Sequence, residues 1–304
     1  MLTINYGIQL FNIDVTNIAY TKLNKNNIIY IPSNDNIRAN LFSDPLLGTL
    51  KSIFINNIEY DHTKNIYIDT TNNMIYTDNI PEFILSIHPP SVETKLLNVH
   101  KQLKLAFGSF NDEFPEQMMA MRYLKGNEKV LEIGGNIGRN TLVINYILNS
   151  NNNNNFVSLE CDSEIALQLK YNRDINNAQF HIENSALSKR PLIQRGWDTI
   201  VSDRLLDGYK KVNTITYDEL NKKYNIAFDT LVLDCEGAFY YILMDMPEIL
   251  NNIKLIIMEN DYHDITHKQY IDNILQQNNF YVDYSERGGW GPCYNNFFEV
   301  WKRT

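Results

Sequence analysis

The stretch VLEIGGNIGRNT, residues 130–141, decides the fold. An apolar run closes on the acid Glu132, Gly134, Gly135 and Gly138 crowd the positions after it, and the apolar residues then change to helical spacing. Strand, tight glycine turn, helix is the order of a ligand cradle. Glycines remove the Cβ atoms that hold a ligand off the backbone, and the helix aims its unpaired N–H groups at whatever is bound. A dinucleotide fingerprint needs glycine two residues after its first glycine, where this chain has Asn136. A strand-end carboxylate followed by G-x-N-x-G suits a cationic group better than a pyrophosphate.

Outward from this block, strands and helices alternate over residues 95–304, the pattern of a mostly parallel sheet covered on both faces. Strands are expected at 129–133, 156–160, 179–182, 230–233 and 255–258. A closing pair at 280–284 and 297–301 is joined by a loop holding Gly288, Gly289 and Gly291. A helix is expected over 116–124, and others start near Arg139, Glu164 and Asp218, the last with Thr216 and Glu219 at capping-box spacing. The asparagine run 151–155 falls in a loop, where a solvated segment tolerates insertion. Residues 1–88 read as a small all-β domain: short β-rich runs at 26–31, 52–60 and 65–70 are broken by Asn, Asp and Pro, and Pro89 and Pro90 mark the boundary.

With 304 residues and 44% hydrophobic content, the chain has room for one large domain and a small one. A net charge of −9 provides no footprint for a phosphate backbone, so nucleic acid is not an expected partner. Cys161, Cys235 and Cys293 are odd in number and not at zinc spacing, which argues against a disulfide framework or a Cys-rich metal site. No segment has the length and apolarity of a membrane span or the make-up of a signal, so a soluble cytoplasmic protein is expected.

The glycine block resembles the first motif of the FkbM family of S-adenosylmethionine-dependent methyltransferases, an acidic residue followed by G-A-N-x-G. SLECD (158–162), NSALS (184–188), TITYDEL (214–220), LVLDCEGA (231–238) and IIMEND (256–261) stand in the family's order across the last two thirds of the chain. Two positions depart from it: Gly135 stands for the usual Ala, and Phe239 for the second acid of D-x-E-G-x-E. The resemblance implies a class I, Rossmann-like doubly wound α/β sheet with a C-terminal antiparallel hairpin. It also implies S-adenosylmethionine as cofactor and O-methylation of a sugar or polyketide-type hydroxyl. A sugar in a glycan or glycolipid precursor is the expected acceptor.

In doubly wound sheets ligands sit at the carboxyl ends of the strands, where Glu132, Glu160 and Asp234 fall. Glu160 is placed to accept hydrogen bonds from both hydroxyls of a ribose. The resemblance adds Asn184, Ser185 and Ala186 at the adenine edge. With Gly134, Gly135, Asn136, Gly138, Thr141 and Asp234, these complete the expected cofactor contacts. Asp162 and Ser163 are expected to cap the following helix.

Methyl transfer from a sulfonium has an excellent leaving group, so alignment of the nucleophile and removal of its proton are the tasks left to the protein. Candidates for the proton are Asp234, Glu236, Glu259 and His263. Two mechanisms stay open. A carboxylate or His263 takes the proton directly, or a magnesium or manganese ion on Asp234, Glu259 and Asn260 acidifies the hydroxyl, in the manner of catechol-type O-methyltransferases. Trp290 and Tyr294 are candidates either for stacking on a sugar or for packing. Rival readings are a metal-dependent O-methyltransferase of a non-sugar molecule, a non-catalytic binding protein in glycan assembly, and a Rossmann oxidoreductase, the last weakened by Asn136. The oligomeric state and the task of the N-terminal domain are not set by the sequence.

Overall fold

The computed structural model describes residues 1–304. The chain forms two compact units, Met1–Ser91 and Val92–Thr304. No helix is long and apolar enough to cross a membrane.

The first unit runs β1 (Ile4–Ile8), β2 (Phe11–Asp14), α1 (Thr16–Lys22), β3 (Asn24–Lys25), β4 (Ile28–Ile31), α2 (Asp35–Phe42), β5 (Ser52–Ile55), β6 (Ile58–Tyr60), β7 (Ile66–Asp69), β8 (Met74–Tyr76) and α3 (Glu82–Ile87). The strands form two four-stranded sheets, ordered β2-β1-β5-β6 and β3-β4-β7-β8, all pairs antiparallel. The run 52–60 is a hairpin: Asn56 (φ 49°) and Asn57 (φ 67°) both adopt the left-handed backbone of a two-residue turn. The all-β expectation is corrected by the three helices. Helix α2 is started by Asn34, whose side chain accepts from the N–H groups of Asn36 and Ile37. It is held by the buried Arg38, which donates to the carbonyls of Pro32, Asp61 and Lys64. A polar segment held by one guanidinium has too little apolar periodicity to be read as a helix.

The second unit opens with α4 (Val92–His100) and α5 (Phe114–Tyr123), then continues through β9 (Val130–Ile133), α6 (Arg139–Asn149), β10 (Phe156–Leu159), α7 (Ser163–Ile175) and β11 (His181–Glu183). There follow β12 (Ala186–Leu187), β13 (Leu192–Arg195), β14 (Asp198–Val201), β15 (Lys210–Val212), β16 (Thr214–Ile215) and α8 (Tyr217–Tyr224). The last part holds β17 (Thr230–Leu233), α9 (Ala238–Asp245), β18 (Leu255–Glu259), α10 (Ile265–Gln277), β19 (Phe280–Glu286) and β20 (Phe298–Arg303). Seven strands form the central sheet in the order β11-β10-β9-β17-β18-β20-β19. The first five run parallel and β20 is antiparallel to both its neighbours. This is the doubly wound α/β architecture, with its topological switch between β9 and β17. Every residue of β9, β10 and β17 is buried, as strands covered on both faces require.

Two features differ from the sequence reading. Residues 186–215 carry a small antiparallel sheet ordered β14-β13-β15, with a short parallel pair between β12 and β16. The asparagine loop is tied down: the Asn153 amide donates to the carbonyls of Gly126 and Glu128.

The switch point is set by one close approach. Gly134 has φ +93°, and a Cβ there would lie 1.5 Å from the carbonyl oxygen of Asp234, which ends the neighbouring strand. Only glycine lets the two strand ends come this near. Gly134→Ala should therefore lower stability by about 3 kcal/mol or more, from strained backbone plus overpacking. Urea denaturation checks this directly, and a variant within 1 kcal/mol of the parent would mean the turn relaxes cheaply.

Candidate functional site

The carboxyl ends of β10, β9, β17 and β18 open into one cavity of about 760 Å³. The glycine turn forms its floor. The N–H groups of Gly134 and Gly135 donate to the carbonyl of Leu159 at 3.0 and 2.8 Å, folding the turn back over the end of β10. Asn136 continues in the left-handed region (φ 45°) and donates its own N–H to Glu160 Oε2 at 3.0 Å. The other Glu160 oxygen accepts from the Asp162 N–H at 2.8 Å. One carboxylate thus clamps the loops after two adjacent strands. Burial pushes its carboxyl up, and the two N–H groups pull it back. Each oxygen keeps a lone pair, and Glu160 lines the cavity.

Several expected contact residues lie under this floor. Glu132 is 2% exposed and does not line the cavity. Its Oε2 accepts from the hydroxyls of Thr141 and Ser158, both at 2.6 Å. Glu132 and Thr141 therefore lock the turn to α6 and β10 and do not reach a ligand. Gly135 and Gly138 are likewise filled by protein: an added Cβ would meet Ser158 Oγ at 2.1 Å and Leu169 Cδ1 at 2.6 Å, respectively. The Asn184 amide donates to the carbonyls of Glu160 and Cys161, so Asn184 braces the loop while Ser185 and Ala186 line the cavity. Asp162 caps α7 as expected, accepting from Glu164 and Ile165.

Asp234, Glu236 and Glu259 come together on the opposite wall. They are joined by Glu113 and Glu116, from the start of α5, which the sequence reading did not pick out. Glu113 accepts from Arg139 Nη1 at 2.6 Å and from the Asn136 amide at 3.2 Å. Glu116 is 7% exposed, hydrogen-bonds with Glu259, and leaves its Oε2 without a partner. The cavity's own guanidinium, Arg190, is already taken by Asp245 in a bidentate pair at 2.5 and 2.7 Å. With no free cation among them, burial and then mutual repulsion push Asp234 far above the usual carboxylate range and Glu259 up to about 11.

Two expected chemical residues are elsewhere. Asn260 follows Glu259 at the strand end, and successive side chains point to opposite faces. Its amide donates to the Asn296 carbonyl at 2.7 Å and to Glu299 at 3.1 Å, in a buried network with Lys268 and Trp301. The oxygen set of Asp234, Glu259 and Asn260 expected for a metal is therefore not assembled, and no three His, Cys, Asp or Glu side chains are grouped to hold one. His263 is exposed, lies against Trp290 at 4.5 Å between ring centroids, and lines no part of the cavity. Trp290 and Tyr294 are outside it too. Its exposed aromatic residues are Tyr241 on α9 and Trp197 on the hairpin of β13 and β14, whose Leu192, Gln194 and Thr199 also line it. The signal for that hairpin is the pair of short runs flanking Gly196–Trp197 in LIQRGWDTIV. Phe239, at the position of the missing second acid, is fully buried in the core.

No family model matches the chain, and no curated protein does. Among solved structures it is similar to an O-methyltransferase from Bacillus cereus in complex with SAH, at 14% identity over 73% of this chain and 96% of that one, with a TM-score of 0.40. It is also similar to the B. subtilis M1A22 tRNA methyltransferase TrmK, at 11% identity over 62% and 65% of the two chains, with a TM-score of 0.39. A third is the ribosomal protein L11 methylase from Lactobacillus delbrueckii subsp. bulgaricus, at 12% over 63% and 79%, with a TM-score of 0.36. The likeness is one of fold and reaches no further.

Glu132 gives the burial of this site a measurable sign. Its carboxyl is pushed up from 4.5 to about 7, chiefly by desolvation. Between those values the folded chain holds a proton that the unfolded chain has lost, so stability falls as pH rises through that window. Glu132→Gln has nothing to titrate and keeps an acceptor for Thr141 and Ser158. Urea midpoints measured from pH 5 to 8 should decline less for this variant. The difference should approach about 3 kcal/mol at the upper end, since one pKa unit is worth about 1.4 kcal/mol; parallel pH profiles would show that Glu132 ionises freely.

Proposed function

We propose that the chain is an S-adenosylmethionine-dependent O-methyltransferase acting on a hydroxyl of a sugar or glycan, and that it works in the cytoplasm. The observation that carries this is the charge of the cavity: carboxylates converge at the switch point of a wound sheet with no free cation to match them. The residues fit a cationic nucleoside. Glu160 presents unused lone pairs just past β10, where a vicinal diol is recognised, and Gly134 lines the cavity beside it. A pyrophosphate finds no free cation to pair with and brings no positive charge to ionise these acids, which disfavours a dinucleotide and an oxidoreductase. The same lack of a free cation disfavours a nucleic-acid backbone. Three free thiols, Cys161, Cys235 and Cys293, suit a reducing compartment.

When bound, S-adenosylmethionine supplies a methyl group on a cationic sulfur that departs as a neutral thioether. The protein's part is placement and proton removal. Asp234 and Glu259 face the cavity from adjacent strand ends, close enough for either to accept a hydroxyl proton. Both are held protonated while the cavity lacks a cation; a positive charge beside them favours their ionised forms and so readies them as bases. The hairpin wall excludes water from one side, and Trp197 at the rim offers an apolar ring face to a sugar.

Calorimetric titration with S-adenosylhomocysteine should show saturable binding, and NADH should show none. Glu160→Gln keeps size and one acceptor oxygen but loses charge, and should weaken binding on the order of ten-fold, the worth of one charge-assisted hydrogen bond. Labelled methyl transfer from S-adenosylmethionine onto a panel of mono- and oligosaccharides then tests the acceptor. No affinity for either cofactor form would overturn the reading, and binding without transfer to any hydroxyl would leave a non-catalytic binder.

A further inference from the structure

We infer that the acceptor carries a primary ammonium group, bound by Glu116 and Glu259 together, which makes the substrate an amino sugar and not a neutral or N-acylated one. This rests on the reading of the cavity as a methyl-donor site and adds to it the chemistry of the second ligand.

Position separates this pair from the cofactor end. Glu160 ends β10 and Glu259 ends β18, with β9 and β17 between them. Three strand spacings put them roughly 14 Å apart. The ribose recognition assigned to Glu160 and the cavity-lining turn at Gly134 lie on the β10–β9 side. Glu259 is on the far side, joined by Glu116 reaching in from α5.

Charge makes the same separation. A methionine-type sulfonium bears one positive charge on sulfur, one on its amine and one negative charge on its carboxylate, so it brings a net charge of one. Asp234, beside the glycine turn, absorbs that. Glu116 and Glu259 are left facing each other, and neither Arg139, which is spent on Glu113, nor Arg190, which is spent on Asp245, is free for them. Glu116 is 93% removed from solvent, lines the cavity, and has Oε2 without a partner. Glu116 Oε2 is thus a buried acceptor that the contact with Glu259 leaves unmet, a costly arrangement that a ligand's donor relieves.

The donors required select the ligand. A neutral hydroxyl brings one hydrogen and no charge. An ammonium brings three N–H donors and the missing positive charge, enough to meet the open oxygen of Glu116 and a Glu259 oxygen at once. Phe298 pairs with Glu259 across the sheet and lines the same cavity. An N-acetyl group would put an uncharged amide against two acids. A divalent ion would need further oxygen ligands, and Asn260 is turned to the other face.

The test loads the full chain with S-adenosylhomocysteine and titrates glucosamine, N-acetylglucosamine and glucose by calorimetry, at a pH where the amine is protonated. Glucosamine should bind at least ten-fold more tightly than the other two. Glu116→Gln should abolish that preference while S-adenosylhomocysteine affinity stays within two-fold, and a Glu116→Asp variant should restore part of it. Equal binding of the three sugars, no binding of glucosamine, or a preference that survives Glu116→Gln overturns the inference. So does a preference that appears only with added magnesium and vanishes with chelator. Loss of S-adenosylhomocysteine binding in the parent chain would instead bring down the methyltransferase reading itself.

Discussion

Buried carboxylates gathered at the sheet edge with no free cation among them are the constraint on which the second unit turns. The chain sorts them into two groups. Glu160 is satisfied by the N–H groups of Asn136 and Asp162, and Glu113 by Arg139. These hold loops in place. Asp234, Glu116 and Glu259 have no N–H or cationic partner; burial pushes their carboxyls up, and for Asp234 and Glu259 the neighbouring acids push further. Internal satisfaction marks structure, and its absence marks the place where a ligand completes the site.

That sorting needs the strand ends in fixed register, which the parallel pairing of β10, β9, β17 and β18 supplies. Leu131 pairs with Val157 on one side and with Leu231 on the other, and Leu231 pairs with Ile256. The residues that follow each strand therefore arrive at one level along the sheet edge. Gly134 then lets the β9 turn press against the Asp234 backbone, so the gap between the two central strands becomes a shallow floor and not a slot. Glu132 beneath it spends its burial on Thr141 and Ser158, and the turn is rigid for that reason.

Much of this was legible in the sequence because periodicity and glycine chemistry are local. The parallel strands, the closing antiparallel pair, the turn at Gly134 and the rim acids Glu160, Asp234 and Glu259 all follow from residues within a few positions of one another. What was not legible depends on direction or on distance along the chain. Asn260 and Glu259 are neighbours in sequence and opposites in space, since a strand alternates its faces. His263 stands four residues from Glu259 and still points away from the cavity, because the loop runs outward. Glu113 and Glu116 precede the glycine block and enter the site only through the way α5 packs over β18, a contact that no spacing encodes. The sheet at residues 192–212 was missed because its strands are short and mostly exposed, so they carry little apolar alternation. Glu132 and Thr141, expected as ligand contacts from their place in the glycine block, and Asn184, expected from the family resemblance, support the turn and the loop from below.

The outer wall of the cavity is attached unevenly. On the α9 side Arg190 meets Asp245 through two parallel hydrogen bonds, with Lys189 adding a third to the Asp245 carbonyl. On the α7 side the tie is Lys210 to Glu164, both largely exposed. A bidentate guanidinium–carboxylate pair that is partly buried is worth well over an exposed lysine pair, which contributes little against solvent screening. The hairpin is thus anchored beside α9 and weakly tethered beside α7. The stronger anchor therefore stands beside the acids that follow β17 and end β18, and the weaker one beside Glu160 and Ser185.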